Sequence, residues 1–129
     1  MTGRASTGGL LAVSCSEERD GVVVCTVNGA LDIQTAETLQ GALRQRLAAT
    51  PPPEVLAVDL RGVGFCDSTG LNALLLLRSE AERAGTSLRL AGVRPRVWRV
   101  LDTTGTATVF AVHPGAADIR PARTRSGAG

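Results

Sequence analysis

Asp67, Ser68, Thr69 and Gly70 form a short polar turn between an apolar run and a helical pattern, and they hold the side chains with the most usable chemistry. A serine hydroxyl at such a junction lies in the partial positive field of the first free N–H groups of the helix. Asp67 or Ser68 can also cap those groups by accepting their hydrogen bonds. The surroundings exclude hydrolytic use of Ser68: there is no G-x-S-x-G, and the one histidine, His113, stands beside Pro114 far along the chain. A phosphate-cradling loop fails too, since Gly64 to Gly70 counts seven residues inclusively and the chain has no lysine. Asp59 and Asp67 have no His or Cys at ligand spacing, Cys66 excepted. These patterns predict no catalytic residue, no metal site and no cofactor.

The three cysteines, Cys15, Cys25 and Cys66, are odd in number and show no C-x-x-C spacing, which predicts reduced thiols rather than a disulfide frame. The helix N-terminus near Cys66 favours a thiolate and Asp67 opposes it, leaving Cys66 as a filler of the turn. All 14 basic residues are arginine, yet the net charge is only +2 and aromatics make up 2% of the chain. That combination argues against nucleic acid as a partner. Arg94, Arg96 and Arg99 form either a small basic patch or a solvated helix face. No apolar run reaches membrane-spanning length and residues 1–9 lack a hydrophobic signal core, so the expected location is the cytoplasm, with no membrane partner.

The elements that must position the turn follow from periodicity. Val55 to Leu60 is apolar apart from Asp59, as in a strand buried on both faces. Leu10 to Ser16 and Gly21 to Gly29 read as a hairpin around the Asp20-Gly21 pair. Ala36, Leu39, Ala42, Leu43 and Leu47 mark an amphipathic helix between Asp32 and Ala49, stopped by Pro51-Pro52-Pro53. After Ser68 a second helix runs to Ala84-Gly85, with Gly70, Ala73, Leu74, Leu77, Ala81 and Ala84 on its core side. Leu71 and Leu75 fall on a shoulder shared with Arg78 and Glu82, as either core margin or exposed patch. A strand at Ser87 to Ala91, a helix from Pro95 with Val97, Val100 and Leu101 inward, and a strand at Val109 to Val112 complete the pattern. Trp98 lies off that inward stripe, as a partial core cover or a contact surface.

The run DLRGVGFCDSTGLNALL resembles the signature of the STAS domain family, in particular its stand-alone anti-sigma factor antagonists. Asn28 to Asp32 followed by Thr35-Ala36, and Val97 to Gly105, are similar to two further segments of that family in the same order. Residues 1–9 and 120–129 have the composition of disordered segments, and the resemblance implies a single α/β domain over residues 10–119 between them. Its mixed sheet would have four to five strands, an antiparallel N-terminal hairpin at the edge, and helices mainly on one side. It also implies that Ser68 is phosphorylated by a serine kinase that is itself the anti-sigma factor, and dephosphorylated by a serine phosphatase. The unphosphorylated protein, a monomer when free and not an enzyme, would bind the kinase and release the sigma factor. The partner surface would comprise Asp32, Asp67, Ser68, Thr69, Gly70, Leu71, Leu75 and Arg78. The alternative is a STAS scaffold or transporter-associated binding module that never uses Ser68 chemically.

Overall fold

The computed structural model describes residues 3–7, 11–19 and 21–120. Its elements are β1 (Gly3–Thr7), β2 (Leu11–Arg19), β3 (Val22–Gly29), α1 (Ala36–Leu47), β4 (Val55–Gly62), α2 (Ser68–Ala84), β5 (Ser87–Ala91), α3 (Pro95–Thr103), β6 (Ala111–His113) and a single 3-10 turn at Ala116–Asp118. The strands form one sheet whose spatial order is the chain order, β1 to β6. β1, β2 and β3 pair antiparallel, and β3 to β6 pair parallel. This is the expected α/β domain with a mixed sheet and an antiparallel N-terminal side.

Alternation along the strands sorts side chains between two faces. Leu11, Val13 and Cys15 of β2, Val23, Cys25 and Val27 of β3, Leu56, Val58 and Leu60 of β4, and Leu88 and Leu90 of β5 join the inward residues of all three helices in one core. α1 and α2 are tied across their outer edge by Arg44, whose Nε and Nη2 donate to the two carboxylate oxygens of Glu80 at 2.8 and 2.9 Å. The opposite face carries Val22, Val24, Val55, Ala57 and Ala91, and its cover is Ile119, fully buried just after the 3-10 turn. The Arg19 guanidinium holds that turn by donating to the Ile119 carbonyl at 3.2 Å. No helix among the described residues is long and apolar enough to cross a membrane.

Two expectations need correction. The segment 1–9 was expected to lack structure, yet Gly3–Thr7 pairs with β2 over five residues, from Gly3 opposite Ser16 to Thr7 opposite Ala12. Backbone pairing needs no apolar side-chain pattern, only the free N–H and C=O groups that the outer side of β2 offers. The sheet therefore has six strands and the β2–β3 hairpin is not its edge. Of the expected tail at 120–129, only Arg120 lies within the described residues.

The second correction concerns the thiols. Cys15 and Cys25 are joined as a disulfide, because the hairpin register sets them directly opposite each other on the core face. Their ten-residue separation shows no sequence motif. The pairing arises from the turn at Gly21, which has φ +78°, and from the register shift between Glu17 and Arg19.

β6 is held partly by one polar contact, in which Arg89 Nη1 lies 3.2 Å from His113 Nε2. A guanidinium can only donate, so Nε2 is the acceptor and the imidazole is neutral. Burial, and then the Arg89 charge, hold His113 below its ordinary pKa, with Asp118 opposing them.

Two predictions follow from this packing. Ile119→Ala opens the helix-free face and should lower unfolding free energy by about 2 to 4 kcal/mol in chemical denaturation. For His113 the folded pKa lies below the unfolded one, so the unfolded chain takes up the proton first as pH falls. Its contribution is complete above about pH 6.5 and is lost on acidification through the folded pKa. The wild type should therefore lose slightly more stability than His113→Gln between about pH 7 and pH 5.

Candidate functional site

The turn before α2 is shaped by Asp67. Its backbone is extended (φ −100°, ψ −172°), its carboxylate Oδ1 accepts from the Gly70 N–H at 3.0 Å, and its carbonyl accepts from Leu71 N–H at 2.9 Å. Asp67 is therefore the N-cap, and Ser68 is the first helical residue. This relieves Ser68 of a structural duty. Its side chain is exposed and its hydroxyl has no hydrogen-bond partner among the described residues. The N–H groups of Ser68 and Thr69 lie too early in the helix for an i−4 carbonyl and stay free to meet an anion.

A second loop is clamped beside this turn. Leu31 N–H donates to the Phe65 carbonyl at 2.9 Å and the Leu31 carbonyl accepts from Asp67 N–H at 3.0 Å, an isolated parallel bridge to Cys66. Gly70 makes the approach possible: a Cβ there would stand 2.5 Å from the Leu31 carbonyl oxygen. Asp32 then starts a tight turn, its Oδ1 accepting from Gln34 N–H at 2.9 Å and Thr35 N–H at 3.2 Å. The buried Thr35 hydroxyl donates to Ala30 O at 2.6 Å and accepts from Asp32 N–H at 3.0 Å. The turn throws Ile33 outward, 75% exposed, next to the loop that carries Phe65, 48% exposed.

Asp32, Asp67, Ser68, Thr69 and Gly70 are thus brought together, Asp32 and Asp67 as turn formers, Gly70 as the buried contact, and Ser68 and Thr69 at the rim. Leu71 is not available to a partner: it is buried in the core, 5% exposed, which corrects its assignment to the contact surface. Leu75 is half-buried against the same core, and Arg78 is half-exposed in an ion pair with Glu82 at 3.3 Å. This flank turns toward the β5–β6 side, where Arg78 and Glu82 share a crevice with Leu88, Val109 and Ala111. Helical periodicity sees one helix at a time and does not say which shoulder a third element covers.

The outward stripe of α2 instead runs through Ser68, Asn72 and Leu76, spaced four residues apart and all exposed. Ile33, Phe65 and Leu76 are the surface residues that sequence reading missed. The available signal was an apolar side chain inside a polar turn, Ile33 between Asp32 and Gln34 and Phe65 after Gly64. Cys66 adds no reactivity. Burial, and next the Asp67 charge, push its thiol up to about 11, so it stays protonated. Asp59, also buried, is held by Arg61, Nη2 to Oδ2 at 3.0 Å, and among the described residues no group of His, Cys, Asp and Glu could hold a metal.

With this geometry in view, comparison with known proteins is informative. The STAS domain family model matches residues 16–119. The anti-sigma-F factor antagonist RsfA of Mycobacterium tuberculosis is 33% identical over 101 residues, covering 76% of this chain and 77% of that protein. The crystal structure of an anti-sigma factor antagonist from Mycobacterium paratuberculosis is similar with a TM-score of 0.74 and 28% identity, covering 88% of this chain and 93% of its own. SpoIIAA, an anti-sigma factor antagonist solved in its unphosphorylated form, shares the fold at a TM-score of 0.66 and 18% identity, covering 89% of this chain and 96% of its own.

The division of labour at the turn predicts unequal effects of two neighbouring truncations. Asp67→Ala should destabilise the domain by about 1 kcal/mol through loss of the cap, whereas Ser68→Ala should change stability by less than about 0.5 kcal/mol. Parallel urea titrations followed by circular dichroism measure both.

Proposed function

The chain belongs to the STAS domain family, and we propose that within it the protein acts as an anti-sigma factor antagonist switched by phosphorylation of Ser68. Unphosphorylated, it binds an anti-sigma factor that is a serine kinase, and the sigma factor is released. The kinase transfers the terminal phosphoryl group of ATP to Ser68 Oγ: the new Oγ–P bond forms as the bond to ADP breaks, and the hydroxyl proton leaves to the kinase. A serine phosphatase reverses the step with water, giving inorganic phosphate and the free hydroxyl. The protein is a binding partner in this cycle, not an enzyme, and it works in the cytoplasm, where sigma factors act.

The observation that carries this reading is the unpartnered, exposed Ser68 hydroxyl on a helix N-terminus that Asp67 already caps. The likeness to RsfA supports the choice of partner. Phosphorylation adds about −1.5 to −2 charge at pH 7. The free N–H groups of Ser68 and Thr69, with the helix dipole, accept that charge within the domain. A partner seated over the turn does not accept it as easily, since it must desolvate a dianion beside Asp67. Contact area comes from the apolar rim, Ile33 and Phe65 on the clamped loops and Leu76 down the helix, with Asp32 and Thr69 in the turns themselves and Leu75 and Arg78 on the adjoining flank of α2.

Titration of the wild type, Ser68→Ala and Ser68→Asp against the cognate anti-sigma factor kinase, with circular dichroism on each, tests the switch. Ser68→Ala should bind like the wild type. Ser68→Asp should stay folded and bind more weakly by about 2 to 5 kcal/mol, roughly thirtyfold to several thousandfold. Ile33→Ala combined with Phe65→Ala should lose about 2 kcal/mol of binding with little change in stability. Equal affinity of all three Ser68 proteins would leave the turn as a helix start and nothing more.

A further inference from the structure

α3 is attached to the domain through a narrow strip. Val97 and Leu101 are buried and Val100 is half-buried, while Arg94, Arg96, Trp98, Arg99, Asp102 and Thr103 are all exposed. Most of the other described arginines are engaged, Arg83 excepted, which is exposed and acts only through its charge on Glu80. Arg44, Arg61 and Arg78 pair with carboxylates, and Arg19, Arg46, Arg89 and Arg120 donate to backbone or side-chain acceptors. Arg94, Arg96 and Arg99 have no hydrogen bond or ion pair among the described residues, and only Asp102 offsets them on α3. The helix with its N-cap Arg94 therefore carries an excess of two positive charges, as large as the net charge of the whole chain.

At ~100° per residue, Arg96, Arg99, Val100 and Thr103 fall on one flank of α3, and Trp98 falls on the other. Along the first flank runs a shallow crevice of about 370 Å³ between Arg96 and Arg99, floored by Val100 and closed by Thr103 and Thr104. An apolar floor between two unpaired guanidinium groups fits a particular chemistry. Guanidinium groups bind carboxylates in paired, planar geometry, and the recess takes an aliphatic side chain from the same segment. We propose that this flank of α3 is a docking surface for an acidic amphipathic peptide segment of a partner protein, with carboxylates on Arg96 and Arg99 and an apolar side chain over Val100. Nucleic acid fits less well, because the crevice has no aromatic residue on which a base could stack. An anionic membrane fits less well too, because the apolar surface here is a recess between charges rather than a protruding edge.

The crevice shares no lining residue with the Ser68 turn, and the proposal does not rest on phosphorylation. The test is an amide chemical-shift titration of the full chain with a short synthetic peptide alternating Glu pairs with Leu, alongside a control of Glu and Ser only. The Glu/Leu peptide should shift amides of Arg96 to Thr104 and bind about tenfold more tightly than the control. Arg96→Gln with Arg99→Gln, which removes no internal contact, should weaken binding about tenfold while leaving the remaining spectrum folded. Raising salt to about 0.5 M should weaken it further. Absent or scattered shifts, an unchanged affinity of the double variant, or equal binding of both peptides would overturn the proposal. So would tighter binding of the same residues to a single-stranded oligonucleotide or to phosphatidylserine vesicles.

Discussion

Two backbone hydrogen bonds made by Leu31, one to Phe65 and one from Asp67, hold this end of the molecule together. They extend the pairing of β3 with β4 past the point where both strands have ended, so the loop into α1 and the loop into α2 are set in one register. Everything at the site inherits its position from that clamp. Asp32 turns the chain immediately after Leu31, Asp67 caps α2 immediately after its own bond to Leu31, and Gly70 lets the helix come close enough for both. Each of these residues is chemically ordinary. Their value lies in the rigidity they give to an exposed hydroxyl and two exposed apolar side chains.

The polar groups around the clamp are spent internally, and those at the rim are not. Asp67 uses Oδ1 on Gly70, Asp32 uses Oδ1 on Gln34 and Thr35, and Thr35 is saturated by Ala30 and Asp32. The Ser68 hydroxyl has no partner among the described residues. The arginines show the same contrast on a larger scale: those over the sheet face and between α1 and α2 are engaged, and those on α3 are left to solvent. Unused donors on a folded surface cost little while water serves them, which is why they can be kept for another molecule.

Local patterns carried most of the architecture. The Pro51-Pro52-Pro53 stop, the Val55 to Leu60 run, and Ala84-Gly85, where Gly85 takes φ +83° as a left-handed cap, each act within a few residues, and each element formed where its pattern stood. The site turn was legible for the same reason, since an Asp ahead of a helical period is a cap whatever surrounds it. What escaped depended on distant neighbours. Leu71 sits on the same helical shoulder as half-exposed Arg78, and its burial comes from what packs over that shoulder rather than from α2 itself. The Cys15–Cys25 link depends on hairpin register, and β1 on the free edge of β2, with no side-chain pattern to announce either. Ile33 and Phe65 were passed over because a single apolar residue in a loop has no period to read.

The sheet's spatial order repeats the order of the chain, with every strand beside its predecessor. As the polypeptide leaves the ribosome, each new strand can add to a single growing edge, and no earlier pair has to be opened to admit it. The parallel half waits only for the crossover helix that links each strand to the last, so loop closures stay short. Ile119 follows every strand and helix of the sheet and is the apolar side chain that shuts the helix-free face. Until it emerges, the valines of β3 and β4 on that face remain open to water, and the nascent domain is at its greatest risk of sticking to another chain while its last element is still to come.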